Sequence, residues 1–315
     1  MLSYLARRLG QGVVVIVLVT IFTFFLVNLA PGGPSSIVRM DTTAEQREAL
    51  THQMGLDVPV SVRYLRWAEG VLHGDFGYSL AGGEAVGPLL GQRLVNTAQL
   101  ALTALVLSIL IGLPLGIWTA LRRNTWLDYA INAVSTLGMS LPSFWLGIMA
   151  VMVFSVTLGL LPASGMSEIG SDFSLTDRIR HLILPTSVLA ITIMPNLVRF
   201  ARSALLEVLG LDFMRTARAK GLAARMVLLK HGMRNALIPV VAMIGLLLPA
   251  LLSGSVIAES VFGWPGMGRL AVDAAMNRDY PVVMAVTVVA GAIVVFTNLG
   301  VDLVYSLIDP RVRHE

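Results

Sequence analysis

Long apolar runs separated by short basic segments make up most of the pattern of hydrophobic and polar positions along this chain. A helix rises about 1.5 Å per residue, so about 20 apolar residues cross a bilayer core about 30 Å thick. Six runs are long enough, and they predict an all-α polytopic membrane protein with six transmembrane helices. The predicted spans run from about Leu9 to Ala30, Thr97 to Ala120, Tyr129 to Leu160, His181 to Val208, Ala236 to Ala258 and Val282 to Ile308.

The Arg and Lys residues predict the orientation of these spans. Six spans place both termini on one side of the membrane, and the short segments on that side hold fourteen Arg and Lys residues. The short segments on the other side hold four, namely Arg178, Arg180, Arg269 and Arg278. Because short cytoplasmic segments carry the excess of positive charge, we expect both termini to be cytoplasmic.

Two long connections divide the chain into parts. Residues 31–96 are expected outside the membrane, with a short amphipathic helix from Asp41 to Met54 and a Gly-rich stretch from Gly74 to Gly87. The other long connection, residues 209–235, is expected in the cytoplasm. The resulting partition is an N-terminus with the first span at 1–30, an external subdomain at 31–96, a five-helix core at 97–308 and a cytoplasmic C-terminus at 309–315.

The composition excludes several classes of protein. The chain is 56% hydrophobic and 13% charged, whereas soluble domains are about 25% charged. This argues against a soluble enzyme and against a disordered protein. The net charge is +4, but the basic residues cluster between apolar runs, so no nucleic-acid partner is expected. Cysteine is absent, which excludes disulfides and cysteine nucleophiles.

Few residues offer catalytic chemistry. The five His residues do not pair at metal-ligand spacing, and no Gly-Lys pair for a phosphate-binding loop occurs, so neither a metal nor a cofactor is expected on this chain. Gly138-Met139-Ser140, with His181 as a base, leaves an intramembrane hydrolase as a remote alternative. We favour a small-residue packing face there. Asp302 in the last span is interpreted as an interfacial carboxylate near the cytoplasmic end.

Six prolines lie inside or at the ends of the apolar runs. Each removes a backbone donor and disturbs the helix. Simple packing kinks and a cavity lined by broken helices are both consistent with this pattern. The residues are Pro114, Pro142, Pro185, Pro195, Pro239 and Pro249.

The cytoplasmic connection has the pattern of two short amphipathic helices, Asp212 to Lys220 and Ala223 to about Met233, which meet at Gly221. Basic residues alternate there with apolar ones. A solvated loop is one interpretation, but such loops need not be this long or this apolar. We therefore favour a cationic projection that docks on an acidic partner protein. The apolar residues concerned are Phe213, Met214, Leu222, Met226, Val227 and Leu229.

This connection resembles the EAA-type coupling loop of ABC importer permeases, in its oligopeptide, dipeptide and nickel form. The matching segments are residues 215–221, Arg-Thr-Ala-Arg-Ala-Lys-Gly, and 234–239, Arg-Asn-Ala-Leu-Ile-Pro. Ala217 and Gly221 match the general pattern, whereas Arg215 stands where an acidic residue is usual. Further resemblances lie at residues 30–34, 74–79, 259–268 and 309–313, and the long external segment is similar to that of the B-type subunit.

The resemblance implies a type I ABC importer permease fold in a bacterial or archaeal cytoplasmic membrane. It implies a heterodimer with a homologous permease, surrounded by membrane lipid, with two ATPase subunits that hold ATP and Mg and an external substrate-binding protein. It implies no enzymatic activity of this chain. The residues implied to dock on the ATPases are Arg215, Thr216, Ala217, Arg218, Ala219, Lys220, Gly221 and Leu222.

The resemblance implies di- and oligopeptides as substrates, and it leaves nickel, glutathione and oligosaccharides as alternatives. A channel or secondary transporter that works without ATP is a further, weaker alternative. Three midspan residues beside prolines are our hypotheses for the substrate path, namely Met139, Phe144 and Asn196.

Overall fold

The computed structural model describes residues 2–29, 57–168, 170, 172–252 and 255–308. These residues form helices and connecting turns, with one isolated antiparallel bridge between Tyr78 and Ala85. The helices are α1 (Leu2–Leu29), α2 (Val60–Leu72), α3 (Val86–Leu121), α4 (Trp126–Ser140), α5 (Ser143–Ala150), α6 (Leu175–Leu209), α7 (Asp212–Ala219), α8 (Ala224–Met226), α9 (Arg234–Leu252), α10 (Val256–Val261), α11 (Met267–Met276) and α12 (Tyr280–Ile308). Two π-helical segments, Val151–Thr157 and Val227–Met233, follow α5 and α8.

All six predicted spans correspond to helical segments of this fold. Among the described residues, five helices are long and apolar enough to cross a membrane, and a bent helix pair makes a sixth crossing if it is one span. The pair is the predicted third span, which bends by 98° between Ser140 and Ser143. Pro142 is consistent with the bend, because a proline disfavours the helical region for the residue before it. Leu141 accordingly has extended φ and ψ of −86° and 130°.

The fifth span differs from its prediction at both ends. The sequence separates a short helix near residues 223–233 from a span that reaches Ala258. In the structure α8, the π-helical segment Val227–Met233 and α9 follow one another without a break. The span therefore starts inside the cytoplasmic connection and ends at Leu252, while Ala258 lies in the separate helix α10.

Helices α3 and α6 form the centre of the bundle because small residues let their backbones approach closely. A Cβ atom on Gly116 would lie 2.6 Å from the carbonyl oxygen of Val198, and one on Gly112 would lie 2.9 Å from Met194 Cγ. Neither position accepts a larger side chain without a shift.

Helix α1 packs along α12, with Gly12 directly against Val295. Near one end of this pair, Arg8 Nε lies 3.3 Å from Asp302 Oδ2. Asp302 is therefore an ion-pair partner, a contact that was not predicted from the sequence.

Helix α2 lies against α1 through an aromatic cluster. Tyr64 and Phe24 meet edge to face with ring centroids 5.5 Å apart, and Tyr64 Oη lies 3.0 Å from Thr20 Oγ1. Helix α2 was not predicted, although its apolar and polar residues recur with helical spacing. The helix predicted from Asp41 to Met54 lies outside the described residues.

Candidate functional site

The candidate site is α7 together with the segments that hold it. Met214 and Ala217 point inward and are buried, with exposed fractions of 0% and 7%. They share one apolar cluster with the end of α3, the end of α6 and the π-helical segment after α8. The buried members of this cluster are Ala120, Leu205, Val208, Met214, Ala217, Val227 and Ala236. The helix is thus anchored on the bundle by one face.

The opposite side of α7 is exposed and cationic. We name the exposed residues around it the docking face, which combines three basic residues with four apolar ones. Asp212 lies in the first turn of α7, and its Oδ1 lies 3.4 Å from Nη1 of Arg215 at the surface. The docking face consists of Phe213, Arg215, Arg218, Lys220, Leu222, Met226 and Leu229.

The residues predicted to dock on a partner lie on both the exposed and the buried side of α7 and the turn after it. Arg215, Thr216, Arg218, Ala219, Lys220, Gly221 and Leu222 are exposed, whereas Ala217 is buried. Met214 and Val227, which the apolar pattern also assigned to the projection, are buried in the anchoring cluster. Ala217, Met214 and Val227 therefore hold the docking face from below and do not lie on its surface.

Gly221 ends α7 for a conformational reason. Its φ is +77°, and its amide donates to the carbonyl oxygen of Arg218 at 3.0 Å. A Cβ atom at this position would meet no heavy atom within 4 Å. Glycine is favoured there because left-handed backbone at a helix C-terminus costs glycine little, not because space is short.

Gly232 has a steric role that the sequence analysis missed. A Cβ atom on Gly232 would lie 3.3 Å from Met214 Cε, so the π-helical segment makes room for the buried methionine. Nothing in the local pattern distinguishes this glycine, since its neighbour is a residue of another helix. The small residue lets α7 and the start of the fifth span pack as one unit.

The three hypothetical path residues lie around the bend of the third span. Met139 is at the end of α4, where its Sδ lies 3.9 Å from Nη1 of Arg199 on α6. Asn196 is half-buried on α6, beside Pro195, which packs near Gly138. Met139 therefore lies on the side of α4 that contacts α6, and Phe144 lies beyond the bend with half of its side chain exposed.

The hydrolase alternative finds no support in the arrangement of its residues. Ser140 Oγ donates to the carbonyl oxygen of Thr136 at 2.9 Å. The His181 ring is held by Asp177, with Nδ1 3.1 Å from Oδ1. The two residues therefore have separate partners. Within the described part of the chain, no group of three or more His, Asp or Glu side chains could hold a metal ion.

A partly buried ion pair between α4 and α6 was not predicted from the sequence. Asp128 in the first turn of α4 accepts from Arg202 Nε at 2.8 Å and from Arg202 Nη2 at 2.7 Å. Arg202 is one of the fourteen basic residues on the expected cytoplasmic side, and Asp128 was not among the candidate residues. The two residues are 74 positions apart in the chain, so only the packing of α4 on α6 shows that they meet.

At the opposite end of the bundle, two buried carboxylates hold turns. Glu259 Oε1 accepts from Thr97 Oγ1 at 2.7 Å, and Oε2 accepts from the amide of Arg269 at 2.9 Å. Asp279 accepts from the hydroxyl of Ser79 and from the amide of Leu80 at 3.1 Å. These contacts fasten the motifs at residues 74–79 and 259–268 to the bundle.

Two family models together match residues 1–314 of the 315 in the chain. Residues 112–314 match the model described as binding-protein-dependent transport system inner membrane component, and residues 1–111 match the N-terminal model of the same membrane component. The chain belongs to this family. The match confirms the resemblance found in the motifs and the assignment to a permease of importers that use a binding protein.

Relatives of this family member cover its full length. It is 42% identical over 317 residues to the oligopeptide transport system permease protein AppB of Bacillus subtilis, with 100% of each chain covered. It is 36% identical over 338 residues to the dipeptide transport system permease protein DppB of Escherichia coli K12, again with 100% of each covered. It is 39% identical over 316 residues to the glutathione transport system permease protein GsiC of Salmonella paratyphi A, also over 100% of each.

A solved structure shares the fold of the family member. An inward-facing structure of the MetNI methionine ABC transporter contains a chain with a TM-score of 0.55 and 19% identity. The match covers 70% of this chain and 96% of that one. Together with the helical bundle and its membrane spans, this confirms the predicted all-α, type I importer permease fold.

Proposed function

We propose that this chain is the permease subunit of an ATP-driven importer for di- and oligopeptides. The arrangement of α7 carries the proposal: a helix anchored by buried Met214 and Ala217 presents Arg215, Arg218 and Lys220 outward. Relatives that are 36–42% identical over their full length and are named oligopeptide and dipeptide permeases support the substrate class.

The docking face suits an acidic groove on a separate ATPase subunit. Guanidinium groups form strong, geometrically specific hydrogen bonds with carboxylates. The exposed apolar residues Phe213, Leu222, Met226 and Leu229 supply area that a partner would remove from water. Because α7 and the start of the fifth span share one apolar cluster, a displacement of α7 also displaces the helices that pack in this cluster.

The proposal includes the partners and the orientation that the family implies. A homologous permease completes the substrate path, two ATPases bind ATP and Mg below, and a binding protein delivers peptide from outside. The docking face and both termini then lie in the cytoplasm, as the distribution of Arg and Lys favours. Met139, Phe144 and Asn196 are proposed to line the path, on the face that the second permease covers.

The test is reconstitution of this chain in proteoliposomes with the partner permease, the ATPases and the binding protein. We expect uptake of radiolabelled trialanine that requires both ATP inside the vesicles and the binding protein. Equal uptake without ATP would overturn the proposal in favour of a channel or secondary transporter. Uptake of glutathione in preference to trialanine and dialanine would reject the peptide assignment and retain the transporter class.

Arg218→Glu tests the docking face separately. Reversal of one exposed charge leaves the buried anchoring cluster intact, so the chain should still insert and pair with its partner permease. We expect the ATPases to be lost from the purified complex. Arg180→Glu, a charge reversal at the opposite end of the bundle, is the matched control and should retain them. Full ATPase recovery and normal uptake with Arg218→Glu would contradict the role of the docking face.

A further inference from the structure

A partly buried ion pair joins the first turn of α4 to α6. Asp128 and Arg202 form two parallel hydrogen bonds, with 3% of the aspartate side chain and 24% of the arginine side chain exposed. Arg202 lies about two helical turns before the end of α6 at Leu209. Bidentate pairs of this kind fix the relative orientation of the two groups as well as their distance.

Each oxygen of the Asp128 carboxylate accepts one further hydrogen bond besides that from Arg202. Asn132 Nδ2 donates to Oδ1 at 2.7 Å, and the backbone amide of Asn124 donates to Oδ2 at 3.1 Å. Asn124 has a φ of +63°, a left-handed conformation that is uncommon for a residue other than glycine. The turn before α4 is therefore shaped so that its amide reaches Asp128, and the ion pair holds the turn as well as the helix.

The ion pair lies on two helices that lead to α7 in one direction and to the bend of the third span in the other. On α6, Leu205 and Val208 follow Arg202 and pack in the same cluster as Met214 and Ala217 of α7. On α4, the helix leads from Asp128 to Met139 and then to the 98° bend. The pair thus stands between the helix proposed to receive the ATPase and the segment proposed to line the path.

We propose that Asp128 and Arg202 are positioning residues that transmit the displacement of α7 to α4 and hence to the bend of the third span. The inference rests on the proposed function. Apolar helix surfaces slide over one another by small shear movements. A bidentate ion pair whose carboxylate is saturated with donors resists such sliding, so α6 and the start of α4 move together.

The first test is Asp128→Asn in the reconstituted transporter. The amide keeps the shape of the side chain and removes the charge that Arg202 matches. We expect the complex to assemble and to hydrolyse ATP, while trialanine uptake per ATP falls about fivefold or more, as for a lost coupling between sites. Asp273→Asn, which removes the exposed partner of Arg269 at 3.5 Å, is the matched control and should leave this ratio unchanged.

The second test restores the connection between positions 128 and 202 with a reversible cross-link, within one protein preparation. The chain contains no cysteine, so Asp128→Cys with Arg202→Cys places two unique thiols on it. We expect the double variant to have a low uptake-to-ATP ratio. A short bis-methanethiosulfonate reagent should raise the ratio, and reduction should lower it again. Each single-cysteine variant, treated in the same way, should show no recovery.

The outcomes separate this inference from the proposed function. If wild-type proteoliposomes show no ATP-dependent uptake, the proposed function fails. If wild type transports and Asp128→Asn keeps the wild-type ratio of uptake to ATP hydrolysis, the inference is overturned. If the ratio falls but the cross-link does not restore it, the pair serves stability alone and the inference is likewise overturned.

Discussion

The two ends of the helix bundle hold their buried carboxylates in different ways. At the α7 end, Asp128 is matched by the guanidinium of Arg202. At the opposite end, Glu259 and Asp279 are held by hydroxyl groups and backbone amides. The first arrangement joins two long helices through a pair of opposite charges, whereas the second uses uncharged donors, among them the backbone amides of turns.

This difference has a mechanical meaning. A side-chain pair between α4 and α6 makes the two helices move together and still lets both move relative to the rest of the bundle. A carboxylate that accepts from the backbone of Leu80 or Arg269 fixes local backbone, so the turn keeps one conformation. We therefore expect changes at the α7 end to alter coupling, and changes at the opposite end to alter stability and local order.

Glu259→Ala should have the largest effect on stability. Glu259 is 0% exposed, and its removal leaves the hydroxyl of Thr97 and the amide of Arg269 without their acceptor. Each stranded buried donor costs about 1–3 kcal/mol. We expect a marked fall in the melting temperature of the purified transporter in detergent. A melting temperature equal to that of wild type would show that the turn does not depend on this carboxylate.

Gly266→Ala should destabilise the same turn by crowding it. A Cβ atom there would overlap the carboxyl group of Glu259, although the φ of −101° suits any residue. Inserting a methyl group into a filled space costs about 1–3 kcal/mol. The melting temperature should fall, and in the Glu259→Ala background the second change should cost little. Additive losses from the two changes would contradict the steric explanation.

Asp279→Asn should loosen the turn after Tyr78 with a smaller loss. One oxygen becomes a donor, so at least one of the bonds to Ser79, Leu80 and Ala81 is lost, at a cost of about 1–2 kcal/mol. We expect faster amide hydrogen exchange at residues 80 and 81. Asp75→Asn, which affects an exposed bond to Gly77, is the control and should leave those amides protected.

The sequence predicted the helices of this fold better than its long-range contacts. Runs of apolar residues gave the six spans because length against bilayer thickness is a local property. The ion pair of Asp128 with Arg202 and the bond of Glu259 with Thr97 join residues 74 and 162 positions apart, and no local pattern encodes them.

The six prolines also show that local sequence does not predict long-range contacts. All six disturb a helix in the same local way, yet Pro114, Pro185, Pro195, Pro239 and Pro249 lie inside continuous helices. Pro142 alone among the six precedes a new helix after a sharp bend. Whether a proline kinks or breaks a helix depends on the neighbours that satisfy the freed carbonyl groups, and the sequence does not place those neighbours.

Gly221→Ala, at the α7 end, should cause the smallest loss of stability. It also allows a direct comparison with Gly266 at the opposite end. Gly221 has open space and a φ of +77°, so its cost is conformational, about 1 kcal/mol for alanine. Asparagine tolerates left-handed backbone, and Gly221→Asn should therefore retain more bound ATPase than Gly221→Ala. At Gly266 the order should reverse, with asparagine worse than alanine, because the constraint there is volume. Recovery of ATPase subunits with the purified complex measures the first pair, and melting temperature measures the second. The same order at both glycines would contradict the distinction between a conformational constraint at Gly221 and a steric one at Gly266.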